Sequence, residues 1–383
     1  MKSPHVLHIG KYYAPFHGGI ESVTRDLAEG LVADGGRATV LVHQHEHGPR
    51  SDEQMNGVRV IRARIFGRLL FTPLAPTFAL ELQRALQTEP SVIHMQMPNP
   101  SAFWCLFSRR ARKLPWIVHW QSDVIDQQAS LALKLAYYLY RPFEQALLRR
   151  AEVIVTASPH YAAHSPALAR HQDKVRVIPI GIEDLQLPQA EKPPQAPLQL
   201  LTVGRLTYYK GHEYLIRALA LLAAEGGLPS GRDVHWQVVG SGEEQEKLAQ
   251  LTQQQGLTAQ IDWCGKLDDA ALRQAFAACD LFVLPSIERT EAFGVVLLEA
   301  MRLGKLCIVT DVPGSGMNWI VEHGVTGLVV QRMNAAALAA AIKEIDAHPE
   351  QAAVLGENAR QRFLHVFQRE QMQRQWLEVY GRL

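Results

Sequence analysis

The sequence predicts an α/β protein made of two doubly wound domains. In both halves of the chain, short β-branched segments alternate with amphipathic helices, and a proline-rich segment at residues 187–197 separates the two series. A chain of 383 residues is also too long for one ordinary core. Strands that alternate with helices require right-handed crossovers, so each sheet should be parallel and covered on both faces. Such folds bind ligands at the carboxyl ends of their strands, and we therefore expect the two domains to face each other across a cleft.

The elements follow in order from runs of apolar, β-branched residues that end at glycine, proline or polar residues. Strands are predicted at 6–10, 38–43, 59–64, 92–96, 116–120, 153–158 and 175–180, and after the linker at 198–204, 235–240, 261–265, 281–286, 306–310 and 327–330. Helical periodicity is clearest at 20–33, 75–88 and 129–150, and the tail from 350 to 383 looks helical throughout. The predicted domains are residues 1–186 and 198–366, with the C-terminal helix 367–383 completing the first.

Composition places the chain among globular proteins, with 47% hydrophobic and 20% charged residues. The N-terminus has too short an apolar stretch for a signal peptide. Residues 91–108 carry no formal charge, but Pro98, Asn99 and Pro100 interrupt them, which disfavours a membrane span. Four cysteines lie apart without metal-ligand spacing, so we expect buried thiols in a reducing, cytoplasmic compartment: Cys105, Cys264, Cys279 and Cys307.

Charge is divided unevenly along the chain. Residues 1–185 carry 21 Lys and Arg against 16 Asp and Glu, a net charge of +5, and the remainder carries 18 against 22, a net charge of −4. Arginines and lysines of the first half alternate with Phe, Trp and Leu, which suits an anionic membrane surface and a lipid-linked acceptor. Ordinary helix faces with core aromatic residues remain the alternative. The expected cations are Arg62, Arg64, Arg68, Arg109, Arg110, Arg112 and Lys113.

The first strand-to-helix turn contains Gly18 and Gly19 directly before a helix. Adjacent glycines let the backbone come close to a ligand, and the free N–H groups of a helix start favour an anion. The turn is not G-x-G-x-x-G, and no acidic residue ends the second strand, so a nicotinamide cofactor is disfavoured. A simple tight turn remains the alternative.

The second domain places two cations at one turn, in "LTVGRLTYYKGHEYLI". Arg205 follows Gly204 at the end of a strand, and Lys210 precedes the next helix. A guanidinium and an ammonium together suit a diphosphate, although exposed surface cations are the alternative. Gly240 and Gly242 follow the next strand, and beside the two cations they support a phosphate-lined or nucleotide-lined site.

The segment "SIERTEAFGVVLLEAM" places Glu291 in a loop and Glu299 eight residues later in a helix that ends near Gly304. If all of this were helical, the two carboxylates would be about 12 Å apart along the axis. That separation suits a nucleotide sugar held by its ribose at one end and its sugar at the other, because a carboxylate accepts two hydrogen bonds from a vicinal diol. A helix-start acid and a solvated acid are the alternative.

The motifs "GRLTYYKG", "VGSGEE", "SIERTEAFGVVLLEAM" and "GVTGLVV", in this order and spacing, resemble the donor-binding half of the retaining glycosyltransferases of family 4, which have the GT-B fold. The two glutamates match the E-x7-E signature of that family. The Gly-Gly loop with Glu21 and the segment "VRVIPIGI" resemble its acceptor half. The resemblance covers the whole chain and is strongest after residue 198. It implies sugar transfer from a nucleotide-diphosphate donor with retained anomeric configuration.

The resemblance implies roles for particular residues. Catalytic roles fall on Glu291, His119, Arg205 and Lys210. Donor contacts fall on Gly18, Gly19, Gly204, Arg205, Lys210, Gly240, Gly242, Glu291, Ala292, Phe293, Gly294, Val295 and Glu299, with the Phe293 and Gly294 amides on the sugar and Glu299 on the ribose. The family commonly has a histidine before Ser-Asp after strand five, where this chain has Gln121. Either His119 takes its place or Gln121 does, and Asp123 completes the acceptor or sugar contacts.

The resemblance is greatest to transferases of mannose-type or rhamnose-type sugars in surface polysaccharide or lipopolysaccharide assembly, which implies GDP, with UDP left open. A nucleotide-sugar epimerase and a non-catalytic nucleotide-sugar-binding protein remain as alternatives. No D-x-D is present, so no metal is expected, and His43, His45 and His47 are expected to be exposed imidazoles rather than zinc ligands. A glycosidase is disfavoured, because its two carboxylates flank one bond. No module or basic domain indicates nucleic acid binding.

Overall fold

The structure is a computed structural model. It describes residues 3–16, 18–46, 48–69, 72–124, 131–185 and 196–383. Most of the predicted linker, the first residues of the helix predicted at 129–150 and His47 lie outside these ranges.

Strands and helices alternate along the described chain. The strands are β1 His5–Ile9, β2 Arg37–His43, β3 Ser51–Met55, β4 Val58–Ala63, β5 Arg68–Leu69, β6 Thr72–Pro73, β7 Val92–Met97, β8 Trp116–Trp120, β9 Val153–Thr156, β10 Val175–Val177, β11 Leu198–Val203, β12 Val234–Val239, β13 Ile261–Gly265, β14 Leu281–Leu284, β15 Leu306–Thr310 and β16 Gly327–Val330. The helices are α1 Gly19–Ala33, α2 Phe78–Leu86, α3 Trp104–Phe107, α4 Leu131–Arg150, α5 Pro159–His164, α6 His212–Ala224, α7 Gln245–Gln254, α8 Asp269–Ala278, α9 Val295–Met301, α10 Met317–Ile320, α11 Ala335–Ala347, α12 Pro349–Val366 and α13 Arg369–Gly381.

The chain forms two compact units. The first contains Met1–Ile180 and Arg369–Leu383, and the second contains Gly181–Gln368. Each unit contains a sheet of mainly parallel strands with helices in the connections, as the alternating pattern predicts.

The sheet of the first unit has the strand order β10-β9-β8-β7-β1-β2-β4-β3. Only β3 pairs antiparallel, at the edge beside β4. The strands predicted in this half are confirmed within about two residues at most ends, but β3 was missed because its sequence, SDEQM, is polar and largely exposed. Edge strands need no apolar face, so hydrophobic patterning does not reveal them.

The sheet of the second unit has the strand order β13-β12-β11-β14-β15-β16, all parallel. The order reverses at β11, which pairs with β12 on one side and with β14 on the other. In open α/β sheets, ligands bind where the strand order reverses, beyond the carboxyl ends of the strands. The loops after β11 and β14 are therefore the place to look for a site in this unit.

The C-terminal tail is not helical throughout, contrary to expectation. Helix α12 ends at Val366, and Phe367 leaves helical geometry because its ring is buried in the second unit beside Phe293 and Trp319. The backbone of Phe367 accepts a hydrogen bond from the N–H of Ile182. Helix α13 then begins at Arg369 and belongs to the first unit. Tertiary packing at one ring thus breaks a helix that local propensity would continue.

Several other expectations are corrected by burial. His43 lies on β2 with 1% exposure and is hydrogen-bonded at both ring nitrogens, to the Lys11 carbonyl and the Ser101 hydroxyl, so it is not an exposed imidazole. Arg62 is 4% exposed and paired with Glu53, so it cannot meet a membrane surface. Of the cysteines, Cys264 is only partly buried, whereas the other three are buried as expected. In the described residues no helix is long and apolar enough to cross a bilayer.

The core of the first unit contains three histidines with adjacent rings. His94 lies 4.9 Å from His8 and 5.4 Å from His119, measured between ring centroids, and all three are buried. Helix α13 covers them with Trp376, whose ring stacks on His94 at 4.4 Å, and with Tyr380, whose hydroxyl contacts His94 Nδ1 at 2.7 Å. Burial lowers the pKa of His8 and His119 to about 3 and that of His94 well below its usual value, so all three are neutral.

These histidines predict that the first unit loses stability in acid. Unfolded histidines titrate near pH 6.5, so between that value and the lowered folded pKa the unfolded chain binds more protons. Stability is therefore complete above about pH 6.5 and falls as the pH drops toward about 3, by up to ~1.4 kcal/mol per pH unit for each histidine. Urea unfolding from about pH 7 to about pH 5 measures this slope.

The variant His119→Gln should reduce the dependence of the unfolding free energy on pH by the contribution of one histidine, up to ~1.4 kcal/mol per pH unit. His160→Gln, which changes an exposed histidine of the same unit, should leave it unchanged. Equal slopes for the two variants would mean that the buried histidines do not control the acid response.

Candidate donor site in the second unit

The loops after β11 and β12 are held together through glycines. The Gly204 N–H donates to the Val239 carbonyl at 2.9 Å, and the Leu206 N–H donates to the Ser241 carbonyl at 3.1 Å. A Cβ at Gly240 would overlap the Gly204 carbonyl oxygen, and one at Gly242 would overlap the backbone of Leu206. These glycines therefore have a packing reason to be present, and their contact with a donor stays a prediction.

A left-handed turn at Gly211 starts helix α6 and brings the β14 loop against it. Gly211 has φ +68°, and a Cβ there would overlap the Pro285 carbonyl. The Ile287 N–H donates to the Tyr209 carbonyl at 2.8 Å. Only glycine combines this φ with so close an approach. The loops after β11 and β14 are thus fixed to each other before any ligand binds.

Lys210 and Glu291 form a nearly buried ion pair where these two loops meet. The ammonium of Lys210 contacts Glu291 Oε2, and the two side chains are 9% and 12% exposed. The Ser286 hydroxyl lies 3.4 Å from the same carboxylate oxygen. The structure therefore brings together two residues that the sequence predicts as catalytic but separates by 81 positions.

The backbone of the Glu291 loop is held by a third loop, which follows β15. Ser315 is fully buried, and its hydroxyl donates to the Glu291 carbonyl at 2.5 Å. The Gly316 N–H donates to the Ala292 carbonyl at 2.8 Å. Sequence reasoning missed Ser315 and Ser286, because a serine that supports a loop leaves no spacing signal. The Ser-Gly pair before the short helix α10 was the one available hint.

Phe293 and Gly294 lead into helix α9. The Phe293 ring is 5% exposed and packs 6.3 Å from Phe367, so only its backbone can meet a ligand. Gly294 has φ +91° and caps the helix, which begins at Val295. The first N–H groups of a helix have no partner within it. The structure therefore places backbone donors next to Glu291, as expected for contacts with sugar hydroxyls.

Glu299 lies on α9, as the sequence predicts. Burial raises the pKa of its carboxyl, and Arg302, one turn further on, partly offsets this effect. A carboxylate that is partly withdrawn from water gains more from accepting hydrogen bonds than a solvated one. Glu299 is thus suited to bind hydroxyl groups.

Arg205 is the exposed cation of this site. Its guanidinium approaches the Tyr209 hydroxyl at 3.3 Å, and the Tyr209 ring lies 5.9 Å from the Lys210 ammonium. Tyr209 therefore stands between the two cations. The loop offers an exposed guanidinium to an anion, whereas Lys210 is already held by Glu291.

The predicted site residues of the first unit are placed differently. Gly18 and Gly19 start helix α1, as expected. Asp123 is engaged within the fold, since its Oδ1 accepts from Trp120 Nε1 at 3.0 Å and from the Ser165 hydroxyl at 2.6 Å. Gln121 is half-buried and donates to Gln96 Oε1 at 2.8 Å.

His119 is 1% exposed and packs 4.8 Å from Trp376, with neither ring nitrogen at the surface. The structure gives this histidine a packing position. A neutral imidazole with a pKa of about 3 is also a poor general base near neutral pH. Of the two alternatives for the missing histidine, Gln121 is the one with an accessible side chain.

Metal binding is not indicated by side-chain clusters. Across the described ranges, no three His, Cys, Asp or Glu side chains come together in a way that could hold an ion. The second unit contains two cations, backbone N–H donors and two carboxylates. This set of groups can bind a diphosphate flanked by hydroxyl groups. The fold is of the α/β class, and the site has the composition expected of a nucleotide-binding protein of that class.

Comparisons with known proteins identify the family. Residues 184–362 match the model for glycosyl transferases group 1, and residues 18–181 match that for a glycosyl transferase 4-like domain. The chain therefore belongs to the family 4-like, group 1 glycosyltransferases, and it is an enzyme of that class. This membership argues against the two alternative functions, a nucleotide-sugar epimerase and a non-catalytic nucleotide-sugar-binding protein.

Two relatives are similar over nearly the whole length. The O-antigen chain mannosyltransferase C of Escherichia coli is 30% identical, covering 99% of this chain and 98% of the relative. The D-rhamnosyltransferase WbpZ of Pseudomonas aeruginosa is 32% identical over 94% and 92%. Among solved structures, HepE of Anabaena in complex with UDP and glucose superposes with a TM-score of 0.73 at 22% identity, covering 99% of this chain and all of the other. This similarity confirms the GT-B fold.

The Lys210–Glu291 pair predicts strong coupling between the two residues. Removing one partner leaves the other charge nearly buried and unpaired. The losses in unfolding free energy caused by Lys210→Met and by Glu291→Gln should therefore add up to more than the loss caused by the double variant. We expect a coupling free energy of ~1–3 kcal/mol in a double-mutant cycle measured by urea unfolding.

The pair between Lys343 and Glu225, at 30% and 57% side-chain exposure, is the matched control in the same unit. Its coupling should be at most ~0.5 kcal/mol, as for other exposed pairs. Coupling that is no larger for Lys210–Glu291 than for this control would contradict the geometry described above.

Proposed function

We propose that the enzyme transfers a mannose-type or rhamnose-type sugar from a GDP-linked donor to a glycan or lipid-linked acceptor, with retention of anomeric configuration. The product belongs to surface polysaccharide or lipopolysaccharide synthesis on the cytoplasmic face of the membrane. The observation that carries this proposal is the prebuilt Lys210–Glu291 pair beside Arg205 and the start of α9. The names of the two near full-length relatives support the sugar class.

Charge develops on the diphosphate as the bond to the sugar breaks. Arg205 and Lys210 stabilise that charge as the nucleoside diphosphate leaves. Because Glu291 and the supporting loops already hold Lys210, the ammonium needs little reorganisation during the reaction. Two cations, of which Lys210 is already held in place, perform the task that a divalent ion performs elsewhere, so we expect the reaction to proceed without metal.

The sugar and the ribose are bound by carboxylates and backbone amides. Glu291 accepts hydrogen bonds from sugar hydroxyls, and the N–H groups of residues 293–295 donate to them. Glu299 accepts from the two ribose hydroxyls. On the acceptor side we assign Gln121 a contact with the sugar, in place of the histidine of the family.

The proposed function is tested by offering the full chain GDP-mannose, GDP-rhamnose, UDP-glucose and UDP-galactose. Nucleoside diphosphate should be released only when an acceptor glycan extract is present, and fastest with a GDP-linked sugar. Proton NMR of the product reports the anomeric configuration, which should match that of the donor. An inverted product would overturn retention, and equal rates with UDP-linked sugars would overturn the choice of nucleotide.

The two cations predict the response of turnover. Arg205→Ala and Lys210→Ala should each reduce turnover by ~100-fold or more, because each removes charge stabilisation from the leaving group. Lys343→Ala, at an exposed ion pair of the same unit, should be neutral. EDTA should leave the rate of the native enzyme nearly unchanged, and a strict requirement for a divalent ion would contradict the assigned role of the cations.

Glu299 predicts nucleotide affinity. Glu299→Ala should weaken the binding of GDP by ~1–3 kcal/mol, since the ribose hydroxyls lose their acceptor. Isothermal calorimetry measures this, with Glu357→Ala on α12 as an exposed control. Unchanged affinity for GDP in a folded variant would remove Glu299 from the ribose site.

A further inference from the structure

Helix α4 presents a stripe of apolar side chains to solvent. Leu135, Tyr138, Leu139 and Phe143 are 66%, 76%, 68% and 42% exposed. Their spacing of three and four residues places them on one side of the helix. A stripe at this spacing normally faces a core, yet the core side of α4 is formed by other residues, among them Leu147 and Leu148. Among the described residues nothing covers the stripe, which leaves it available to an outside partner.

Helix α3 extends this apolar surface. Trp104 and Phe107 are 42% and 66% exposed, and the Phe107 ring lies 6.2 Å from that of Phe143. Trp104 is in turn 6.2 Å from Phe107. The six side chains form one ridge, which we call the α3–α4 ridge. Contiguous exposed apolar patches of this kind mark interaction sites for membranes or other macromolecules.

The surroundings of the ridge are positively charged. Lys134, Arg141 and Arg149 are exposed on α4, and its one described acid, Glu144, is fully buried and accepts a hydrogen bond from Tyr137. The loop after α3 adds exposed cations on a stretch, residues 90–122, that contains no acidic residue: Arg109, Arg110, Arg112 and Lys113. Arg150 connects the two elements by donating to the carbonyls of Arg112 and Leu114.

Two cavities open beside α4, against the loop that follows α5. One, of about 350 Å³, is lined by Gln145, Arg149, Arg170, His171, Asp173 and Lys174. The other, of about 400 Å³, includes Tyr138, Arg141 and Arg170. Burial lowers the pKa of His171, and so do the nearby cations Lys174, Arg149 and Arg170, whereas Asp173 acts in the opposite direction. Each cavity is large enough for a phosphate group, and the second one adjoins the ridge at Tyr138.

We propose that the α3–α4 ridge and these cavities dock the enzyme on the headgroup layer of an anionic phospholipid bilayer. The ridge enters the boundary of the acyl chains, where Trp, Tyr and Phe are favoured, and the cavities beside Arg149 and Arg170 accept lipid phosphates. The surface fits lipid better than protein, because cations surround the rings and no exposed acid interrupts them on α4. The proposal deepens the proposed function by naming where the enzyme meets the membrane that carries its acceptor.

Flotation with phosphatidylcholine vesicles, with and without phosphatidylglycerol, tests the docking surface. The full chain should bind only the vesicles with phosphatidylglycerol, and high salt should release it, since salt screens charges at a surface. Arg149→Glu with Arg170→Glu should weaken binding by ~25-fold or more, at about fivefold for each cation near the surface. Arg217→Glu, at an exposed arginine of the second unit, is the control and should bind like the native chain.

The ridge is tested separately from the cations. Leu135→Ser with Leu139→Ser should reduce vesicle binding at least tenfold, whereas Leu80→Ser, at a leucine of α2 with 61% exposure, should not. Lipids brominated near the headgroup should quench the fluorescence of Trp104, which a Trp104→Phe variant identifies by difference. Equal effects of the ridge variant and the Leu80 control, or no quenching at Trp104, would overturn the assignment of the ridge.

Further measurements separate this proposal from the proposed function. Binding of GDP and UDP by calorimetry should be the same in the native chain and in the ridge and cation variants. If nucleotide release fails while vesicle binding follows the variants, the docking surface stands and the proposed function does not. Displacement from vesicles by soluble glycerol phosphate at low concentration would show a free phosphate site, and binding to both vesicle types alike would show a non-electrostatic contact. Either outcome overturns docking on an anionic bilayer.

Discussion

The ion pair between Lys210 and Glu291 is the interaction on which the organisation of the candidate donor site depends. Its members come from the loops after β11 and β14, two neighbouring strands at the point where the strand order reverses. A nearly buried pair is favourable only when its geometry is good and further hydrogen bonds satisfy the remaining polar atoms. Ser286 supplies one such contact to the carboxylate, and Ser315 fixes the backbone that carries it. The pair therefore requires three loops to hold their positions together.

The glycines of this unit are best understood through that requirement. Gly211 lets the chain turn so closely past the Pro285 carbonyl that the start of α6 and the β14 loop touch. Gly240 and Gly242 allow the same between the loops after β12 and β11. A side chain at any of these positions would separate loops whose polar groups must meet within hydrogen-bond distance. The sequence predicts that Gly240 and Gly242 contact ligand phosphates. In the structure the three glycines also allow the loops that carry the charged side chains to approach each other.

The strand pattern and the charged motifs were accessible from sequence, whereas the supporting contacts were not. Buried parallel strands give nearly continuous apolar runs, so β8 and β15 were predicted to the residue. Arg205, Lys210, Glu291 and Glu299 stand out because they lie in motifs whose order and spacing resemble those of the family. The polar edge strand β3 gives no such run, and the break at Phe367 depends on rings of distant segments. The alternation of side chains along β8 places His119 on the same face as Gln121. It does not predict that Trp376 of α13 covers the His119 ring.

The net charge of the first half has a local explanation in the structure. Three of its acids lie in ion pairs near β3, β4 and α2: Asp52 accepts from Arg50 and Arg59, Glu53 pairs with Arg62, and Glu81 accepts from Arg50 and Arg84. Such pairs cancel one charge with another and leave little field around them. Apart from Arg150, which pairs with Glu152, the cations near the α3–α4 ridge have no such partners among the ion pairs of the described residues, so the excess positive charge lies there. The sequence shows the charge imbalance only as a total. The fold pairs acids with bases near β3, β4 and α2 and leaves other bases near the ridge, so the positive charge is concentrated on one part of the surface.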